Sequence, residues 1–161
     1  MFKKGDKVVY PMHGAGVIEA IEEREVLGTK QVYYIMKIPV GEMKVMIPQE
    51  KIEKIGLREI IDKDKTKKVL DVLKKKEAPM SESWNQRYRS NLEKIKTGDI
   101  YQVAEVVRNL SGRDTLKGLS TGEKKMLENA KQILISELVL ANGMDEEQAL
   151  HVVQENLDGC G

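Results

Sequence analysis

The sequence predicts an α+β protein in two domains: a small curled β-sheet or barrel over residues 1–56, then a compact bundle of about five α-helices over residues 57–161. Two observations carry the prediction. Up to residue 56, apolar side chains alternate with polar ones between Gly and Pro punctuation, the period of a strand. From about residue 60 they recur at helical spacing between recognisable start and stop signals.

In the first half, Lys7 to Tyr10 reads as a short strand ended by Pro11, and His13-Gly14-Ala15-Gly16 as a turn. Gly16 to Leu27 alternates loosely, with Val17 and Ile21 set against Glu19 and Glu23, and stops at Gly28. Gln31 to Ile38 alternates well, placing Val32, Tyr34, Met36 and Ile38 on one face. After a turn at Pro39-Val40-Gly41-Glu42, Met43, Val45 and Ile47 alternate with Lys44 and Met46 up to Pro48. Four or five short strands in so few residues make a small sheet with a small core, which calls for docking against a partner or the second half.

In the second half the first helix covers about 62–76, with Val69, Leu70 and Leu73 inward, and stops before Ala78-Pro79. The second starts at Ser83, where Gln86 completes a capping box, and ends near Thr97-Gly98. Asp99 caps the third, which carries Ile100, Val103, Ala104, Val107 and Leu110. Ser120-Thr121-Gly122-Glu123 introduces the fourth as another capping box, ahead of a Met126, Leu127, Ala130, Ile133, Leu134, Leu138 stripe closed by Asn142-Gly143. The fifth begins at Asp145 with Gln148 at the box position and buries Ala149, Val152, Val153 and Leu157. Short loops between such helices imply a bundle.

Composition narrows the class. With one Phe and one Trp, the cores are built from Val, Ile, Leu and Met. No apolar run reaches bilayer length, no signal-peptide pattern follows Met1, and a lone Cys160 near the tail cannot build a disulfide framework, so the expected setting is the cytoplasm. The two histidines, His13 and His151, have no zinc-ligand spacing with Cys160, and the His13-Gly14-Ala15-Gly16 turn lacks the lysine and helix of a phosphate loop. No catalytic constellation, metal site or cofactor motif is expected. The net charge of +1 hides an asymmetry: residues 63–96 hold eleven Lys or Arg against five acids, whereas 97–161 hold six against eleven. One basic face on an otherwise acidic protein attracts a polyanion locally.

The candidate for that contact is Ser83-Trp84-Asn85-Gln86-Arg87-Tyr88-Arg89, preceded by Lys74, Lys75 and Lys76. Trp84 falls on the first helical residue, where a ring projects from the helix end. An indole flanked by cations can wedge against a distorted base step while neighbours grip phosphates. The same spacing fits an ordinary core stripe of Trp84, Tyr88, Leu92 and Ile95.

Several longer stretches bear on the choice. They are Gly5-Asp6-Lys7-Val8-Val9-Tyr10-Pro11-Met12-His13-Gly14, the run from Trp84 to Lys94, Val103-Ala104-Glu105-Val106-Val107-Arg108, and Leu119-Ser120-Thr121-Gly122-Glu123-Lys124-Lys125-Met126-Leu127. In this order and spacing they resemble the CarD/CdnL family of bacterial RNA polymerase-binding transcription regulators. The likeness covers all but the tail after about Leu157. The first stretch alone also fits the polymerase-interacting module of transcription-repair coupling factors; the helical half separates the two.

The resemblance implies a Tudor-like β-barrel that binds the RNA polymerase β subunit and a helical domain that touches promoter DNA at the upstream edge of the bubble. There a tryptophan matching Trp84 wedges into the minor groove and stabilises the open complex. On this basis Trp84 is the wedge, Arg87 and Arg89 are backbone clamps, and Lys124 and Lys125 are further phosphate contacts. Arg24 matches an arginine of the polymerase contact, and a second interface arginine of some members falls at Met46. The protein is expected to act as a monomer without cofactor or membrane. Rival readings are a protein–protein adaptor that never touches DNA and a stand-alone DNA-binding protein.

Overall fold

The structure is a computed structural model and describes residues 2–76 and 78–159. Cys160 lies outside the described residues. The N-terminal half forms a five-stranded antiparallel sheet in the order β4-β3-β2-β1-β5. Its strands are β1 (Lys7–Tyr10), β2 (Gly14–Val26), β3 (Thr29–Ile38), β4 (Met43–Pro48) and β5 (Arg58–Glu59). A single-turn helix α1 (Ile52–Ile55) links β4 to β5. The C-terminal half holds α2 (Thr66–Lys74), α3 (Trp84–Lys96), α4 (Ile100–Leu116), α5 (Thr121–Asn142) and α6 (Glu146–Asp158). This is the α+β, two-domain arrangement the sequence predicts.

Two strand details differ from the expectation. The sheet runs past residue 56, because Arg58 and Glu59 pair with Val9 and Val8. In β2, Ile18 rather than Val17 faces the apolar side, since the register slips between Ile18 and Ala20. That bulge leaves Glu19 as an extra residue and restores Ile21 to the face of Ile18, an irregularity that a strict period of two cannot anticipate. The inner face gathers Val8, Ile18, Tyr34, Met36, Ile38 and Ile47 with Leu57 into one buried cluster, roofed by Phe2, Ile52 and Ile55. Close strand approach requires Gly16: a Cβ there would sit 2.3 Å from the Lys37 carbonyl oxygen.

The helical core is built from the predicted stripes. Val69 and Leu73 of α2, Val103, Val107 and Leu110 of α4, Ala130, Leu134 and Leu138 of α5, and Ala149 and Val153 of α6 are buried together. The first helix starts at Thr66, after a turn of 3-10 helix over Lys63–Lys65. Asp145 and Gln148 form the full reciprocal capping box expected for α6.

The two halves are packed against each other along α5, which lies over the outer face of β2. Ser136 Oγ accepts the Ala15 backbone N–H at 2.8 Å, and Val9 and Ala15 are buried there. At Gly14 (φ 120°) a Cβ would stand 2.8 Å from Ser136 Oγ, so this residue must be glycine for the sheet to reach α5. The small sheet thus gains its second cover from the bundle.

Candidate nucleic-acid and polymerase interfaces

Ser83 caps α3 with extended backbone, and its side chain accepts the Gln86 N–H. The reciprocal half of the expected box is absent; Gln86 Oε1 instead accepts from Ser81 Oγ at 2.9 Å, and Ser81 Oγ accepts the Ser83 N–H at 3.2 Å. The chain therefore enters α3 through a short serine network that leaves Trp84 at its mouth. Trp84 is 44% exposed. One face of the indole stacks on Tyr88, with centroids 5.0 Å apart and planes 21° from parallel. Gly122, at the start of α5, lies beside the ring pair: a Cβ there would be 3.6 Å from Trp84 Cζ2. The indole Nε1 donates to Ser120 Oγ at 2.9 Å.

The stripe reading and the wedge reading each hold for part of α3. Ile95 is buried in the bundle core, Tyr88 and Leu92 are half-buried against it, and the stripe emerges into solvent at Trp84.

Arg87 is corrected. It is 4% exposed and forms a two-pronged ion pair with Glu123, Nε to Oε2 at 2.7 Å and Nη2 to Oε1 at 3.0 Å. Its remaining nitrogen donates to the carbonyls of Ser81 and Glu82. A guanidinium buried to this extent with these donors satisfied is not available to grip a phosphate; it ties the start of α3 to the start of α5. Hydrogen bonding from Arg87 holds the Glu123 carboxyl below its ordinary range despite burial, and Glu123 in turn raises Arg87. Glu123 also departs from the expected capping box: its side chain turns to Arg87 and accepts from Ser120 Oγ at 3.2 Å, while its backbone N–H is capped by the same hydroxyl at 3.2 Å.

Arg89, Lys124 and Lys125 are exposed and carry no ion pair among the described residues. Lys124 and Lys125 stand in the first turns of α5, whose capping serine touches the indole, so this helix start and the Trp84 ring share one corner of the bundle.

On the sheet, Arg24 and Met46 lie on the same outer face. The register aligns Ala20, Ile35 and Met46 across three strands, and Glu22, Tyr33 and Pro48 beside them. Arg24 stands next along β2, its Nε and Nη2 both donating to Glu22 Oε2 at 3.1 and 2.7 Å. Met46 is 44% exposed, and Ala20, Tyr33, Ile35 and Pro48 are half-buried, so the face has an apolar patch, with Glu22 and Arg24 along one side and Lys37 and Lys44 along the other. The bundle covers the other end of this face, at Val9 and Ala15, and leaves this end open.

The model of the CarD C-terminal domain matches residues 68–154, and that of the CarD-like/TRCF RID domain matches residues 2–61. The chain belongs to the CarD family. A relative from Bacillus subtilis (strain 168), described as the putative transcription factor YdeB, is 47% identical over 148 residues, spanning 92% of this chain and 97% of that protein. The solution NMR structure of the 72-residue N-terminal domain of Myxococcus xanthus CarD is 36% identical and covers 37% of this chain and 79% of that one, with a TM-score of 0.32. The family is one of transcription factors, which supports a role in transcription regulation.

Sequence reasoning missed three contributors to the Trp84 corner in this CarD-family chain. The local pattern reads Ser120 and Glu123 only as a helix cap, and Gly122 only as part of the same start signal. The Arg87–Glu123 and Trp84–Ser120 contacts each span 36 positions, beyond any local period.

Among the described residues no group of three or more His, Cys, Asp or Glu side chains could hold a metal ion, and no helix is long and apolar enough to cross a membrane.

Proposed function

We propose that this chain binds the RNA polymerase β subunit through the outer sheet face bearing Arg24 and Met46. It then stabilises the promoter open complex by wedging Trp84 into the minor groove at the upstream edge of the bubble. The observation that carries the reading is that the sole indole is held at a helix mouth by a hydrogen bond and one stacked ring, with nearly half its surface open. A sole indole is more often largely covered. Arg89, Lys124 and Lys125 supply the phosphate contacts, helped by the positive end of the α5 dipole.

The energetics favour a tethered wedge. Three phosphate contacts give non-specific affinity only near the weak end of about 10⁻⁴ M. Anchoring to polymerase supplies the rest through effective concentration. The bubble edge offers a step that is already partly unstacked, so insertion costs less there than in closed duplex. A ligand shifts an equilibrium only by preferring one state, and an aromatic stack of about 1–3 kcal/mol made in the open state alone corresponds to about 5- to 150-fold in its population. The minor groove is nearly degenerate, so little sequence preference follows.

Promoter-melting kinetics with purified polymerase test the reading. Trp84→Ala is expected to keep polymerase binding and lose the gain in open-complex lifetime; an unchanged gain refutes the wedge. Arg24→Glu is expected to abolish β-subunit binding while the far-ultraviolet circular dichroism stays constant. Absence of promoter crosslinking from Trp84 or Arg89 in the complex would favour the adaptor reading.

A further inference from the structure

The hydroxyl of Ser120 has one hydrogen and two lone pairs, and three partners meet it. The Glu123 backbone N–H arrives at 3.2 Å, the Trp84 Nε1–H at 2.9 Å, and Glu123 Oε1 stands 3.2 Å away. Two of the three are obligatory donors, so the hydroxyl hydrogen must point at the Glu123 carboxylate. That carboxylate is itself fixed by the two prongs of the buried Arg87 guanidinium. Each bonding position of Ser120 Oγ is filled by one partner, and the lone pair aimed at Trp84 is determined.

We propose that Ser120 is the positioning residue of the Trp84 wedge, setting the rotation of the indole before nucleic acid arrives, and that Arg87 acts through Glu123 to keep the Ser120 hydroxyl turned for that task. The inference rests on the wedge reading above and adds how the wedge is aimed. Stacking on Tyr88 constrains the plane of the indole but leaves open which edge points outward, because the outer torsion of an aromatic side chain is broad and two-fold. The N–H bond to Ser120 selects one edge. A ring already fixed in its working rotamer loses less freedom on insertion, so the contact with DNA is stronger for the same stacking area.

Trp84 is the only tryptophan, so indole fluorescence of the full chain reports this position alone. Ser120→Gly removes the hydroxyl while conserving most of the capping effect, and Ser120→Thr keeps the hydroxyl. In the isolated protein, time-resolved anisotropy is expected to gain a fast component in Ser120→Gly and none in Ser120→Thr. With polymerase and promoter, Ser120→Gly is expected to shorten open-complex lifetime about fivefold, the scale of one net hydrogen bond, and Ser120→Thr to restore it. In a Trp84→Phe background, which has no N–H to hold, Ser120→Gly should change the lifetime no further.

Unchanged anisotropy in Ser120→Gly, or an equal loss of lifetime in the Trp84→Phe background, overturns the assignment and leaves Ser120 a helix cap only. If Trp84→Ala itself has normal lifetime, the wedge reading fails. The anisotropy comparison contains no DNA and still decides for or against the hold of Ser120 on the ring.

Discussion

Arg58 and Glu137 join the sheet to the helical bundle through two parallel hydrogen bonds, Nη1 to Oε2 at 2.8 Å and Nη2 to Oε1 at 2.7 Å. The same Glu137 oxygen that accepts from Nη1 takes the Ile61 backbone N–H at 2.8 Å, and Arg58 Nε reaches the Gly98 carbonyl at 2.8 Å. One guanidinium thus binds β5 to α5 and to the α3–α4 loop. Glu137 is 1% exposed, so its charge depends on these donors. Removing one partner of such a pair strands the other. Arg58→Ala is expected to cost about 3 kcal/mol and to lower the melting temperature by roughly 6–12 °C. Calorimetry of the full chain checks the value, and an Arg58→Lys variant should recover only part of it, since an ammonium cannot span both oxygens.

Arg87 and Arg89 sit two residues apart and are expected to behave oppositely. Arg87→Gln breaks the buried pair with Glu123 and should destabilise the fold by about 3–5 kcal/mol. Arg89 is exposed with no ion pair among the described residues, so Arg89→Gln should leave stability within about 0.5 kcal/mol. In DNA binding the order reverses at the level of salt dependence. Losing Arg89, Lys124 or Lys125 should each flatten the slope of log affinity against log salt by about one unit, as expected of a phosphate contact. Unfolding and salt titrations on the four variants separate the roles.

The Glu123 carboxyl is held below its reference value of 4.5 chiefly by hydrogen bonding from Arg87. A depressed carboxyl contributes stability that is complete above the unfolded value and is lost as pH falls through the folded one. Urea unfolding is therefore expected to show a stability loss below about pH 4.5 that is missing in Glu123→Gln, whose deficit relative to the parent narrows on acidification. Glu82 is depressed too, through its hydrogen bond from Lys117, but that pair is exposed. High salt should erase the Glu82 part and leave the Glu123 part.

Local chemistry made much of this molecule readable. Asp99 and Asp145 cap α4 and α6 where the sequence places them, and the stripes from Ile100 to Leu110 and from Met126 to Leu138 are buried as their period requires. What escaped depends on distance along the chain or on a break in period. The bulge at Glu19 moves the inner face from Val17 to Ile18. Strand β5 is two residues long and has no period to display; it exists because β1 has a free edge. Arg87 looked like one more cation in a basic run, and its burial was set by Glu123, 36 residues away. The exposure of Trp84 could not be decided by its spacing, because Trp84 and Ile95 belong to the same stripe and end in opposite environments.

That shared stripe yields a last test. Ile95 is 1% exposed at the inner end of α3, so Ile95→Ala removes three buried carbons from a packed core and is expected to cost about 2–5 kcal/mol. Trp84 at the outer end is a much larger side chain, and a fully buried indole truncated to Ala would cost about 3–5 kcal/mol. Here the indole is 44% exposed and rests on Tyr88 and Gly122, with a hydrogen bond to Ser120, so Trp84→Ala is expected to cost about 2 kcal/mol, the lower end of the range for Ile95→Ala. The larger truncation should therefore be the milder one. Chemical denaturation of the two variants side by side reads this order, and a Trp84→Ala loss as large as that of Ile95→Ala would return Trp84 to the core.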